Sequence, residues 1–163
     1  MPDAAPIYLD YAATAPLDPR VADLMSACLL DPALQGNPAS VHAPGRTAAV
    51  RVELARGQVA RLIGAQPEAI VFTSGATESV NLAILGAARA AADGKRHVVT
   101  ARTEHRAALD ACGQLEREGF TIGWLKPGAD GSVDPGQVAA VLRADTALVS
   151  LMHANNETGA IND

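Results

Sequence analysis

Aromatic residues, lysines and cysteines are scarce in this chain of 163 residues, and these absences narrow its function. Aromatic side chains make up only 3% of the sequence, which argues against a nucleic-acid surface built on base stacking. The 13 basic and 18 acidic residues give a formal net charge of −5, which argues against nucleic acid or an anionic membrane as a partner. The cysteines Cys28 and Cys112 form no C-x-x-C pair, so we expect neither a zinc site nor a disulfide framework.

Targeting and membrane signals are missing as well. The start Met1-Pro2-Asp3 does not open a signal peptide, and no uninterrupted apolar stretch is long enough to span a bilayer. We therefore expect a cytoplasmic protein without a membrane partner. Apolar residues at 48% and charged residues at 19% are typical of a globular chain, and its length suffices for one domain with a core.

The apolar periodicity predicts an α/β fold with a mainly parallel sheet and flanking helices. An arm over residues 1–16, strand-like at 7–11, precedes an incomplete large domain over residues 17–163. Strands are predicted at 69–73, 97–101, 121–125 and 147–152. Helices are predicted from Asp18-Pro19 toward Leu30 and at 45–63, 77–92, 106–118 and 135–143.

The segment from Ile70 to Ser79 is the most informative part of the sequence. A short buried strand ends in a turn at Gly75, and a helix begins at once. Such a helix start presents free backbone N–H groups and a positive dipole end, with the hydroxyls of Ser74 and Thr77 alongside. The segment therefore predicts a phosphate-binding site. The alternative is an ordinary helix cap without a ligand.

Polar clusters follow three of the predicted strands, at residues 73–77, 103–105 and 153–157. In open α/β sheets, ligands bind at the carboxyl ends of the strands. Three such clusters on one edge of the sheet predict a binding site there. Taken singly, each has an ordinary explanation: His105 is a helix start, and Asn155-Asn156 is plain turn chemistry.

At these residues the chain resembles the class V, fold-type I enzymes that use pyridoxal 5'-phosphate (PLP), and more narrowly the cysteine desulfurases. The match runs over nearly the whole chain in family order. It consists of Tyr8-Leu9-Asp10-Tyr11-Ala12-Ala13-Thr14, Gly36-Asn37-Pro38-Ala39-Ser40 with His42 and Gly45, Phe72-Thr73-Ser74-Gly75-Ala76-Thr77-Glu78-Ser79, Thr103-Glu104-His105, and Met152-His153-Ala154-Asn155-Asn156-Glu157-Thr158-Gly159.

The resemblance implies PLP as the cofactor and a role for each matching position. Gly75, Ala76 and Thr77 are expected to bind the phosphate. His105 is expected to stack on the pyridine ring and to act in catalysis. Asn156 is expected to bond the phenolic oxygen of the ring and to lie near the substrate carboxylate, with Ala13 at the substrate mouth. The resemblance also implies a homodimer, L-cysteine as the substrate, and a sulfur-acceptor or scaffold protein as a partner.

The residue that PLP chemistry needs most is not recognisable here. A lysine must hold the cofactor as a Schiff base, yet Lys95 and Lys126 match no family motif. The family's lysine, its acidic partner on the pyridine nitrogen and its sulfur-accepting cysteine all come later than Asp163. The family's sheet order places the predicted second strand between the third and the fourth, and the first strand at the far edge. We therefore expect the N-terminal part of a longer enzyme, inactive alone.

Three alternatives stay open at this point. The intact enzyme could be a selenocysteine lyase or a class V aminotransferase, because close relatives share a similar first half. The chain could instead be a non-catalytic interaction module that docks to a partner chain. A nucleotide-binding domain is a weaker alternative, since neither G-x-G-x-x-G nor G-K-[ST] occurs.

Overall fold

The computed structural model describes residues 7–163 and divides the chain into two compact units, Met1–Phe72 and Thr73–Asp163. The first unit is helical. Its helices are α1 (Pro19–Leu30) and α2 (Ala43–Ile63), with short 3-10 turns at Pro32–Leu34 and Pro67–Ala69. Asp18 caps α1 by accepting the Arg20 N–H, as the Asp-Pro start predicts. Among the described residues, no helix is long and apolar enough to cross a membrane.

The second unit contains a three-stranded parallel sheet and three helices. Its elements are α3 (Ala76–Ala90), β1 (His97–Ala101), α4 (Arg106–Arg117), β2 (Thr121–Leu125), α5 (Pro135–Val141) and β3 (Thr146–Ser150). The strand order is β2-β1-β3, so the central strand is the first in sequence. This is the order that the resemblance implies for these three strands, and the predicted α/β class with a parallel sheet is confirmed.

The core of the second unit lies on both faces of the central strand β1, all five residues of which are buried. Val98 packs with Ile84 of α3 and Leu115 of α4 in one cluster. Val99, on the opposite face, packs in a second cluster with Leu125 and with Val138 of α5. Strand alternation therefore directs neighbouring valines to different helix layers, which fixes the sheet between α3 and α4 on one side and α5 on the other.

Two strand predictions are wrong for the described residues. Residues 69–73 form no strand: a 3-10 turn ends at Ala69, and the following residues have no strand to pair with. The Ile70 carbonyl instead accepts a hydrogen bond from the Arg56 guanidinium at 2.5 Å. The arm at 7–11 is also irregular, with a turn in which Ala13 N–H donates to the Asp10 carbonyl. A strand needs a neighbour for its backbone groups, and apolar alternation alone does not supply one.

Candidate cofactor site

The N-terminus of α3 is an open set of hydrogen-bond donors. The first helical bond runs from Ser79 N–H to the Gly75 carbonyl, and Gly75 provides no side-chain cap. No described residue accepts from the N–H of Ala76 or Thr77, nor bonds the Thr77 hydroxyl. The other α-helices are capped by the side chains of Asp18, His42, His105 and Asp134. The start of α3 can therefore bind an anion without breaking an existing bond.

The turn before α3 is held by its own side chains. Both the N–H and the hydroxyl of Ser74 donate to one carboxylate oxygen of Glu78, at 2.7 and 2.6 Å. These two bonds, led by the one from the hydroxyl, lower the pKa of Glu78. The hydroxyls of Thr73 and Ser79 bond each other at 2.6 Å. The Ser74 hydroxyl, expected beside a phosphate, thus bonds Glu78 in this structure. The Thr77 hydroxyl has no partner among residues 7–163.

His105 lies at the carboxyl end of β1 and caps α4. Its Nδ1 accepts the Ala107 N–H at 3.1 Å, so the neutral ring carries its proton on Nε2. The side chain is exposed on one side of a cavity of about 240 Å³. That cavity is lined by His105 and by Val80, Ala83, Ile84, Glu104, Ala108, Ser150, Leu151 and Met152. His105 thus shares this cavity with Val80, Ala83 and Ile84 of α3, the helix whose N-terminus is the open donor set.

Asn156 lies in the loop that follows β3. Its side chain is exposed, and its amide donates to Glu157 at 3.2 Å. The loop starts at the same sheet edge as the segment of His105, because β1 and β3 are parallel. Two of the three predicted clusters therefore share one edge of the sheet. The third begins α3, which packs against β3 although no strand precedes it.

The remaining predicted positions lie elsewhere. Ala13 belongs to the first unit, so its place at a substrate mouth stays a prediction. Lys95 donates to the Thr146 carbonyl at 3.3 Å, which puts it at the amino end of the sheet, opposite His105. Lys126 is exposed after β2 and does not line the His105 cavity. Lys126 nevertheless follows β2 at the carboxyl edge of the sheet, so the expectation that neither lysine holds the cofactor stays a prediction.

Sequence reasoning missed two residues that support the site. The Asn155 amide is buried and donates to the Thr103 carbonyl at 2.9 Å. The Glu104 carboxylate accepts the Met152 N–H at 2.7 Å. Burial raises the pKa of Glu104, and the bond from Met152 opposes that rise only in part. In the sequence, Asn155 is indistinguishable from its neighbour Asn156, and a carboxylate beside a histidine gives no sign of its partner.

An uncapped helix start, together with a histidine and a loop amide that follow neighbouring parallel strands, is the arrangement of a cofactor domain of the fold-type I class. Comparison with known proteins gives the family. The model of the aminotransferase class-V family matches residues 7–163, and the chain belongs to that family.

Individual relatives show which members of this family the chain resembles. The chain is 58% identical over 159 residues to the cysteine desulfurase IscS of Pseudomonas putida (strain W619), a match that covers 97% of this chain and 39% of that protein. A solved NifS-like protein superposes with a TM-score of 0.89 at 36% identity, covering 96% of this chain and 42% of the other. The structure of SspA in complex with cysteine gives 0.87 at 38% identity, covering 95% and 44%.

The chain thus spans about 39% of the length of the curated relatives that it matches. Class V aminotransferases and cysteine desulfurases are PLP-dependent. The residues present fit that cofactor. Ala76 and Thr77 offer unused donors for a phosphate, and no described residue beyond the chain neighbours of Gly75 has a heavy atom within 4 Å of the place where its Cβ would stand.

Proposed function

We propose that this chain is the phosphate-binding and ring-binding part of a PLP-dependent cysteine desulfurase. The complete enzyme converts L-cysteine and a thiol, R–SH, to L-alanine and a persulfide, R–S–SH. The persulfide sulfur then passes to an acceptor or scaffold protein for iron–sulfur cluster or thio-cofactor assembly. The observation that carries the proposal is the unused donor set at the start of α3, a helix that lines one cavity with His105, in a chain similar to cysteine desulfurases. One structural neighbour is described in complex with cysteine.

Each residue of the site has a definite task in this proposal. The backbone N–H groups of Ala76 and Thr77, together with the Thr77 hydroxyl, hold the cofactor phosphate. The His105 ring stacks on the pyridine ring, and Asn156 donates to its phenolic oxygen near the substrate carboxylate. Ala13 lines the substrate mouth. When bound, PLP withdraws electrons from the substrate α-carbon and weakens the bonds made there.

His105 also suits a proton transfer, because its two ring nitrogens have different tasks. Nδ1 is engaged by the Ala107 N–H, which fixes the ring orientation and keeps the proton of the neutral ring on Nε2. Because His105 is exposed, that proton can be exchanged with a substrate atom. Holding the cofactor by a lysine is a separate requirement. Neither Lys95 nor Lys126 matches the family's lysine motif, so we expect the 163 residues alone to be inactive.

The oligomeric state, the compartment and the partners of the intact enzyme are part of this proposal. The intact enzyme acts as a homodimer in the cytoplasm, with a sulfur-acceptor protein as its macromolecular partner and with neither nucleic acid nor membrane. The net charge of −5 and the low aromatic content support this choice of partners. The likeness to IscS cysteine desulfurase supports the acceptor.

Turnover tests the function. The purified chain is incubated with PLP, L-cysteine and a thiol reductant, and both alanine and sulfide are measured. We expect no product above the background of free PLP. Addition of a polypeptide that supplies the remaining length of the relatives is expected to give both products in equal amounts. A reassembled, PLP-loaded enzyme that makes neither product would contradict the proposed activity, and sulfide from the chain alone would contradict the lysine argument.

A further inference from the structure

Two strand-end loops of the second unit are joined by side chains that bond backbone atoms far away in sequence. Glu104 follows β1 and accepts the Met152 N–H at 2.7 Å, across 48 residues. Asn155 follows β3 and donates to the Thr103 carbonyl at 2.9 Å, across 52 residues. Each loop therefore supplies one side chain that holds the backbone of the other. We call these two bonds the loop clamp.

Asn155 uses every polar atom of its amide. Besides its bond to Thr103, its Oδ1 accepts the N–H groups of Glu157 and Thr158, both at 2.9 Å. The side chain is only 7% exposed, so water does not replace these partners readily. Because Asn155 fixes the backbone on both sides of Asn156, it determines where the exposed Asn156 amide stands.

Glu104 is half-buried and lines the same cavity as His105. Keeping a carboxylate there costs free energy that an apolar side chain would avoid. Its bond to Met152 is a charge-assisted one, made at the residue where the Asn156 loop leaves the sheet. The same short segment carries His105, so a single carboxylate links the backbones that bear both predicted cofactor-binding side chains.

We propose that Glu104 and Asn155 are positioning residues that hold Asn156 and His105 at a fixed separation around the cofactor ring. This inference rests on the proposed cofactor role of Asn156 and His105, although the loop clamp itself is independent of it. The first requirement at position 104 is a hydrogen-bond acceptor, because the partner is a backbone N–H, and the negative charge strengthens that bond.

Hydrogen exchange tests the clamp on the chain as it stands. Glu104→Ala is expected to speed exchange of the amides at 152–160 about tenfold or more, as loss of a charge-assisted bond predicts. Glu104→Gln retains an acceptor oxygen without the charge, so its exchange rate is expected between those of wild type and Glu104→Ala. Glu116→Ala is the matched control, since Glu116 is an exposed carboxylate on α4 without an ion pair among the described residues.

Two outcomes overturn the clamp. If the amides at 152–160 exchange at the wild-type rate in Glu104→Ala, the bond from Met152 to Glu104 does not hold the loop in place. Equal loosening by Gln and Ala would show that the charge matters rather than the acceptor. If Glu104→Ala fails to fold, Asn155→Asp provides the test. This variant keeps the acceptor for the N–H groups of residues 157 and 158 but loses the donor to the Thr103 carbonyl. Faster hydrogen exchange of the loop is expected, and an unchanged rate would contradict the clamp.

A spectroscopic readout separates positioning from mere stability. PLP is titrated into each variant, and the absorbance of the bound cofactor is compared with that of wild type. Glu104→Ala and Asn155→Asp are expected to shift the bound spectrum in the same direction as Asn156→Ala, whereas Glu104→Gln is expected to shift it less than Glu104→Ala does. Bound spectra identical to wild type in the first two variants would overturn the positioning role. If the wild-type chain leaves the absorbance of PLP unchanged, the proposed function is contradicted. The hydrogen-exchange rates of the loop amides then still test the loop clamp.

Discussion

The hydroxyl of Thr77 offers the sharpest single perturbation of the proposed phosphate site. Its side chain is exposed and bonds no other described residue, so Thr77→Ala breaks no hydrogen bond within the folded chain. Alanine is also the better helix former by roughly 0.5 kcal/mol, so the free energy of unfolding should stay constant or rise slightly. A hydrogen bond to a charged phosphate contributes about 1.5–3 kcal/mol. The expected loss of PLP affinity is therefore about ten- to a hundredfold.

The assay compares two ligands and three proteins. Dissociation constants for PLP and for pyridoxal, which lacks the phosphate, are measured by isothermal titration on wild type, Thr77→Ala and Thr77→Ser. Serine restores the hydroxyl and should recover most of the affinity for PLP. Pyridoxal should bind all three proteins weakly and alike, because the hydroxyl has no phosphate to bond.

Two results would refute this reasoning. If Thr77→Ala binds PLP as tightly as wild type, the hydroxyl does not contact the phosphate. If the substitution weakens pyridoxal and PLP by the same factor, the effect comes from a change in the fold. Urea unfolding of each variant provides the stability control.

Three further predictions concern the core, the thiols and the lysines. Leu115→Ala should lower the free energy of unfolding by about 2–5 kcal/mol in urea, because Leu115 is fully buried between α3 and β1. Burial raises the pKa of the Cys112 thiol to about 11. Iodoacetamide at neutral pH should therefore label the exposed Cys28 and leave Cys112 unmodified in the folded chain. Modification of both cysteines at equal rates would contradict the packing around Cys112. Borohydride reduction with PLP should leave no stoichiometric pyridoxyl group on Lys95 or Lys126, as peptide mass analysis would show.

The central elements of the fold could be predicted because local signals agree with their surroundings. The strands His97–Ala101 and Thr121–Leu125 fall at the predicted bounds. Each is a short β-branched or apolar run between polar turns, and each has a parallel neighbour to pair with. Helix α1 begins where Asp18-Pro19 predicts, since its cap depends only on adjacent residues.

The segment 69–73 shows the limit of such local signals. Its apolar pattern is as strand-like as that of β1, yet strand formation depends on a neighbour that no local pattern provides. The sheet order, by contrast, followed from the resemblance rather than from periodicity.

In the site as well, local sequence signals predict some features, whereas contacts between distant residues could not be predicted. A helix start with free N–H donors after Gly75 and a histidine at a strand end could be inferred from residue types and spacing. The loop clamp could not, because residue type and spacing do not show that Asn155 is buried while Asn156 is exposed. Nor could the engagement of the Ser74 hydroxyl by Glu78, which depends on the rotamers of two side chains.

The most direct test of the account is the electron density of PLP bound to the enzyme reassembled from this chain and the remaining length of its relatives. The account predicts the phosphate within hydrogen-bond distance of the Ala76 and Thr77 N–H groups and the Thr77 hydroxyl. It also predicts the pyridine ring against the His105 imidazole, with the phenolic oxygen facing the Asn156 amide. Density for PLP with its phosphate away from the start of α3, or with its ring remote from His105, would contradict the central claim.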